Sequence, residues 1–336
     1  MTAAVLRLGA LRVNLLLQGH WNAADSIEAT IRRRFPNDQL NGVAARYRAQ
    51  LAGDIELRRR LIESAVVEGD ARDPVQTINR QMLLALEEGR LRDADRFREA
   101  SFAVYRAQGV RIDDFTSKTM SMVSAADAGV VSPQALREFD EALAVAAQTS
   151  KVSSYLSAAH MYAKLGLVSK ARNALTELER TVADSASRAR IKLSMPALMV
   201  EVAIAERRWA DAVAMLRSAD QQPDGPANSC VYCLPLELLR VFAIAGMADS
   251  ALAQYGLYRR TALGSRPRIG PDLVVAAPSM LALARMYDAR GDARNAVDAY
   301  RDYSTRFERA DAELQPSVRD ARARLQALSP AEGVRR

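Results

Sequence analysis

The chain is predicted to be all-α, an α-solenoid of about eight antiparallel helical hairpins ending in a C-terminal capping helix. Three observations predict it. Ala and Leu are abundant and β-branched runs are rare, so the 336 residues lean towards helix. A short pattern recurs along the chain: an apolar stretch, Gly, a brief polar turn, then Ala five residues after the Gly. Near the C-terminus, Leu314, Val318, Ala321 and Leu325 make one apolar stripe at helical spacing.

The repeat is clearest as Gly19-His-Trp-Asn-Ala-Ala24, Gly89-Arg-Leu-Arg-Asp-Ala94, Gly166-Leu-Val-Ser-Lys-Ala171, Gly246-Met-Ala-Asp-Ser-Ala251 and Gly291-Asp-Ala-Arg-Asn-Ala296. Arg207-Arg-Trp-Ala-Asp-Ala212 keeps the Ala and has Arg for Gly. Gly53 keeps the Gly and loses the Ala, and Gly129 opens a less regular copy whose second helix is predicted to start at Ser132-Pro133. Turns therefore fall at 19, 53, 89, 129, 166, 207, 246 and 291, at intervals of 34 to 45 residues. Gly suits the end of the first helix, where positive φ is wanted. Small Ala lets the second helix approach closely, and a short turn makes the two antiparallel. One hairpin cannot bury its apolar face alone, so hairpins stack, and a 49% hydrophobic chain can supply the continuous core. The expected organisation is one domain over 1–328, with the cap over 311–328 and a disordered tail at 329–336. Trp21 and Trp209, at equivalent turns, are expected to pack between hairpins.

The hairpin Met280, Leu283, Ala284, Tyr287, Gly291, Ala296 and Tyr300, and the similar set Tyr155, Ala158, Ala159, Tyr162, Gly166, Ala171 and Leu175, resemble the tetratricopeptide repeat. Pro36 stands where that family closes a repeat, whereas Glu28 and Arg98 stand where it has an aromatic or apolar residue. The resemblance covers nearly the whole chain and implies a right-handed superhelix that binds protein segments in a concave groove. A further pattern, Cys230-Val-Tyr-Cys233-Leu-Pro235 followed by Gly246-Met-Ala-Asp and Ala310-Asp-Ala-Glu-Leu-Gln-Pro316, resembles the repeat region at the C-terminal end of bacterial serine/threonine protein kinases and related regulators. That implies a sensing or docking module whose output domain is elsewhere. Asp113-Asp114-Phe115-Thr116 is not the metal-binding Asp-Phe-Gly of a kinase, and no phosphate loop or His-Arg-Asp catalytic loop occurs.

In the tetratricopeptide family the position of His160, five residues after Tyr155, tends to face the groove. The same register implies Lys164, Glu201, Arg240, Arg285 and Asp288 as groove residues, and weaker copies add Tyr47, Asn79 and Glu87. Taken singly, each also reads as a solvent-facing side chain. As a set of mixed charge they suit an extended or helical partner segment.

Cys230 and Cys233 are the only cysteines. Pro235 suits a first helical turn, which places Cys233 near a helix N-terminus and favours thiol reactivity. Three readings stay open: a structural thiol pair or disulfide, a redox-responsive switch, and two ligands of a metal. The last lacks partners, since His20 and His160 lie in distant repeats. No metal site and no cofactor is therefore expected. H-E-x-x-H, G-x-S-x-G, Walker and dinucleotide motifs are absent, and the chain is read as non-catalytic.

The formal charge is +7, and 42 of the 47 basic residues are Arg. The positives are scattered among 40 acidic residues, with Arg32-Arg33-Arg34 and Arg58-Arg59-Arg60 the densest spots, so nucleic-acid binding ranks third, after protein binding and redox sensing. No stretch is apolar enough for a membrane span, and the N-terminus is a poor export signal. The expected location is the cytoplasm, or an extracytoplasmic one if the chain is the tail of a membrane-anchored parent. The expected partner is a protein or peptide, with a kinase or transcriptional output domain as the candidate.

Overall fold

Residues 3–36, 55–67, 74–182, 191, 194–220, 235–260 and 269–329 are described by the structure, a computed structural model, and all regular structure among them is helical. α1 (Ala3–Leu17) pairs with α2 (Trp21–Arg34), and α3 (Ile55–Val67) leads into the pair α4 (Pro74–Glu87) and α5 (Leu91–Ala107). Four further pairs follow: α6 (Asp114–Asp127) with α7 (Pro133–Ala146), α8 (Lys151–Lys164) with α9 (Val168–Thr181), α10 (Met195–Ala205) with α11 (Trp209–Asp220), and α12 (Pro235–Ile244) with α13 (Ala248–Arg260). The last pair is α14 (Ile269–Ala289) and α15 (Ala293–Arg306), and α16 (Gln315–Leu328) packs on it as the cap. First helices touch their successors from α6 to α8 to α10, and again from α12 to α14, as a solenoid requires. Among the described residues no helix is long and apolar enough to cross a membrane.

The turns explain the repeat. Leu167 N–H donates to the Tyr162 carbonyl (2.8 Å) and Gly166, at φ +70°, carries the reversal between them. This is the Schellman arrangement, in which a left-handed residue lets the chain satisfy the last carbonyls of a helix. The same bond recurs as His20 to Leu15, Arg90 to Ala85, Val130 to Ala125, Met247 to Phe242 and Asp292 to Tyr287. Arg207 follows it too, with Arg208 N–H on Ala203 O at 2.8 Å, and it adopts φ +60° where the other copies have Gly. The Ala five residues on is buried in each of these regular copies: Ala24, Ala94, Ala171, Ala212, Ala251 and Ala296 are at most 1% exposed. A larger side chain there would force the paired helices apart. The predicted turn at Gly53 and the predicted tail over 330–336 lie outside the described residues.

Positions that depart from the repeat are compensated by charge. Glu28, on the buried face of α2, accepts from Arg12 of α1 at 2.6 Å, and both side chains are almost fully buried. Arg98 of α5 is buried against Asp95 and reaches Ser124 of α6. Removing one partner of such a buried pair costs about 3–5 kcal/mol, because a charge is left without compensation. Trp21 packs on Leu16 and Ala24, Trp209 sits in the apolar patch of α10 to α12, and Ser132 caps α7 through Ala135 N–H at 3.1 Å.

The chain also comes back onto itself, which the repeat pattern does not announce. The segment after α15 lies against the turn between α4 and α5, and α14 touches α4. Asp311 N–H donates to Gly89 O at 3.0 Å, and the Asp311 carboxylate accepts from Arg92 N–H at 2.9 Å. It thereby caps the first turn of α5, whose own N-cap residue Arg90 makes no side-chain cap bond. Arg92 also pairs with Glu313. Phe307 and Leu314 fill the space over Gly89, where an added Cβ would stand 2.7 Å and 2.9 Å from their ring and methyl carbons. Ala128 and Val130, at the turn after α6, join the same apolar patch. One turn of the superhelix thus closes between the α4–α5 hairpin and the chain's last hairpin and cap.

Two outcomes follow from the turns. Arg207→Gly relieves the left-handed strain and should stabilise the protein by about 1 kcal/mol in urea unfolding; an unchanged midpoint would show that the turn is not strained. Gly89→Ala and Gly166→Ala share the positive-φ penalty of about 1–2 kcal/mol, but only Gly89→Ala presses on Phe307 and Leu314. It should lose about 1–3 kcal/mol more and speed amide exchange at Asp311. Equal losses and equal exchange would mean that the closure is not formed in solution.

Candidate functional site

The turn residue gives a register for the first helices. The residue six before it is His160 on α8, Glu201 on α10, Arg240 on α12 and Arg285 on α14. Repetition of the hairpin brings the first three of these together. Arg240 Nη2 bonds Glu201 Oε1, and Arg240 Nε bonds Glu237 Oε2 of its own helix at 2.8 Å. His160 lies half-buried within the field of Glu201, Lys164, Arg240 and Glu237. The residue two before the turn makes a second rung: Lys164 Nζ of α8 stands 2.5 Å from Asp127 Oδ1 of α6. The result is one charged network across α6, α8, α10 and α12.

Burial sets its electrostatics. Burial pushes Arg240 towards losing its proton, yet Glu237 and Glu201 outweigh that and raise its pKa above the ordinary value. Burial also pushes Glu201 up, and Arg240 and Lys164 overcome it, so Glu201 stays ionised below its ordinary value. His160 is held below its ordinary value by burial, with Lys164 and Arg240 acting the same way against Glu201 and Glu237. It is therefore neutral at neutral pH. Glu201 Oε2 is buried and accepts no hydrogen bond among the described residues. With His160 neutral, the three carboxylates outnumber the two cations, and the network carries one net negative charge.

The other expected groove residues divide. Arg285 is exposed on α14, beside the Tyr300 and Tyr303 rings. Asp288 is taken by the cap: Arg324 of α16 binds both its oxygens, at 2.5 Å and 2.7 Å, and this holds the carboxyl below its usual range. Asn79 faces its own hairpin, accepting from Ser101 of α5 at 3.2 Å. Glu87 is fully buried at the end of α4, out of reach of a binding segment. Asp288 is thus engaged by the cap, Asn79 by its own hairpin, and Glu87 is buried. Tyr47, Cys230 and Cys233 lie outside the described residues.

Asp127 and Glu237 belong to the network and are not among the expected groove residues. Asp127 is legible in principle: it stands two residues before Gly129 as Lys164 stands two before Gly166, but the irregular copy at Gly129 hides the equivalence. Among the described residues no cluster of His, Cys, Asp and Glu is arranged to hold a metal. Of the dense basic spots, Arg32, Arg33 and Arg34 are exposed at the end of α2, while Arg59 is buried on Glu88 at 2.5 Å. Arg60, next to it, is exposed.

No protein-family model and no curated protein matches the chain. Among solved structures, the crystal structure of the P58(IPK) TPR domain is similar over 99% of this chain and 100% of that chain, with 14% sequence identity and a TM-score of 0.32. The α-solenoid assignment rests on the hairpins, turns and neighbour contacts of the chain itself.

The network gives a pH dependence. The folded pKa of His160 lies below the ordinary 6.5, so above that value both states are neutral and stability is full. As pH falls through 6.5 the unfolded chain takes the proton first, and stability falls. The Glu201 contribution is lost only below its ordinary 4.5. Urea unfolding from about pH 7 to about pH 5 should therefore show a declining stability that His160→Gln flattens. An equal slope in the variant would remove His160 as its source.

Proposed function

We propose that the chain is a non-catalytic protein-binding scaffold and that its inner face takes an extended or helical segment of a partner protein, as a regulatory module in bacterial signalling. One observation carries this reading: the residue six before each turn is charged or ionisable on four successive first helices, and the first three of these join one polar network where a core would need apolar residues. Such a row suits polar recognition along a segment, each hairpin contributing one contact. The half-buried pairs give direction and specificity, since a wrong charge opposite them is costly. Exposed Arg285 extends the row at the end where the cap begins. The kinase-tail resemblance supports the regulatory part of the reading.

The test is peptide selection on the immobilised protein, with fluorescence polarisation of the best binders. Arg285→Glu combined with His160→Ala leaves the Arg240–Glu201 pair in place and should weaken a selected peptide about tenfold or more, the loss of roughly one charged contact. Peptides that bind both proteins equally would move the site off this face. A library that yields no saturable binder would remove the scaffold reading.

A further inference from the structure

Where the chain closes on itself it forms a half-open pocket of about 290 Å³. Its walls come from three parts of the sequence. Leu86 and Leu91 flank the Gly89 turn, Val123 comes from α6, and Leu281, Phe307 and Leu314 come from the returning end. These apolar side chains form most of the lining. The polar groups are few: the Ser124 hydroxyl and the Asp127 carboxylate from α6, with the Tyr303 and Ser317 hydroxyls from the returning end. Among the described residues, Asp127 is the one charged member of this lining, and its partner cation Lys164 lies outside it.

We propose that this pocket is a binding site for a small, mainly apolar molecule carrying a single primary amine. The size is that of a small ligand pocket, and an apolar wall with a few convergent polar groups is the usual composition of one. The charge selects the ligand class. A carboxylate or phosphate ligand would stand against Asp127, whereas an ammonium can share that carboxylate with Lys164 and donate to the lining hydroxyls. One Asp127 oxygen is already held by Lys164, so the ligand's amine takes the other. The site exists only while the returning end is seated on Gly89. Occupancy and closure are therefore linked: a ligand that binds only the closed form stabilises it. This inference shares Asp127 with the charged network, but its ligand is not a polypeptide, so its test does not depend on the protein-binding reading.

The experiment is isothermal titration of the full chain with three probes of one shape: 2-phenylethylamine, 2-phenylethanol and 3-phenylpropionate. The amine should bind with one-to-one saturation. The alcohol should bind about tenfold more weakly, having lost one charge-assisted hydrogen bond, and the acid should not bind. Leu281→Trp fills the pocket and should abolish amine binding with the helical circular dichroism unchanged. If that variant does not fold, Asp127→Asn serves instead, and it should bring amine and alcohol to equal affinity. Gly89→Ala should weaken the amine while Gly166→Ala keeps it. The proposal is overturned by absence of saturable binding for all three probes, by equal affinity for amine and acid, or by an amine preference that survives in Asp127→Asn.

Discussion

At Gly89 two demands meet in one residue. The backbone must turn through positive φ to join α4 to α5, and the space beside it must stay empty for Phe307 and Leu314. A solenoid without such a point is a one-dimensional object, in which each hairpin is stabilised by its neighbours alone. Here Asp311 caps a helix that begins more than two hundred residues earlier in the chain, and its own N–H is held by the carbonyl of Gly89. The bond from Arg92 N–H to Asp311 satisfies a donor that the Arg90 side chain leaves open, so the closure completes α5 and does not merely rest on it. Burial of Phe307 and Leu314 contributes about 1.5–3 kcal/mol each against leaving them exposed. Such a contact joins distant segments and must form late in folding, because the loop it closes is long. It also makes the end of the solenoid answer to its middle.

The charged row depends on the same geometry. Arg240 and Glu201 occupy equivalent positions on α12 and α10, and Lys164 and Asp127 do so on α8 and α6. An ion pair between equivalent residues of adjacent hairpins fixes how far one hairpin rotates on the next. Such pairs add little net stability when buried, because desolvation offsets most of the attraction. Their contribution is to disfavour other rotations, in which a carboxylate would be buried without its cation. The apolar patches between hairpins, such as Leu239, Phe242 and Leu283, do not have that directional demand. Apolar burial thus supplies the cohesion, and the charged rungs restrict the rotation of one hairpin on the next.

What the sequence reveals follows from how local each feature is. The turns are legible because a Gly five residues before a buried Ala is a constraint inside one hairpin. Arg207 is legible for the same reason, since its neighbours keep the pattern even though Arg must adopt a Gly conformation. Glu28 looks like a departure because its partner Arg12 belongs to no consensus position. In the candidate site His160, Glu201, Arg240 and Lys164 are readable from register, and Asp127 becomes so once the copy at Gly129 is aligned. Asp288 and Glu87 mislead because the register says which side of a helix a residue takes and not what will cover that side. Arg324 and the closure on α4 depend on the accumulated rotation of several hairpins, which no single repeat encodes.

Asp127 stands where these two systems meet. One of its oxygens holds Lys164 of the charged network, and its side chain lines the pocket under the returning end. Six residues before Gly129, where the row has His160, Glu201, Arg240 and Arg285 in the other hairpins, α6 carries Val123, which also lines that pocket. The row therefore runs from charged to apolar at the hairpin on which the chain closes. A cation placed beside Asp127 lowers the attraction that Lys164 feels from it, and Lys164 in turn acts on Glu201 and His160. Charge delivered at the closure would thus be felt in the charged network through the Asp127–Lys164 pair. A solenoid whose end is latched onto its middle has the means to let the state of the latch alter the balance of charge between its hairpins.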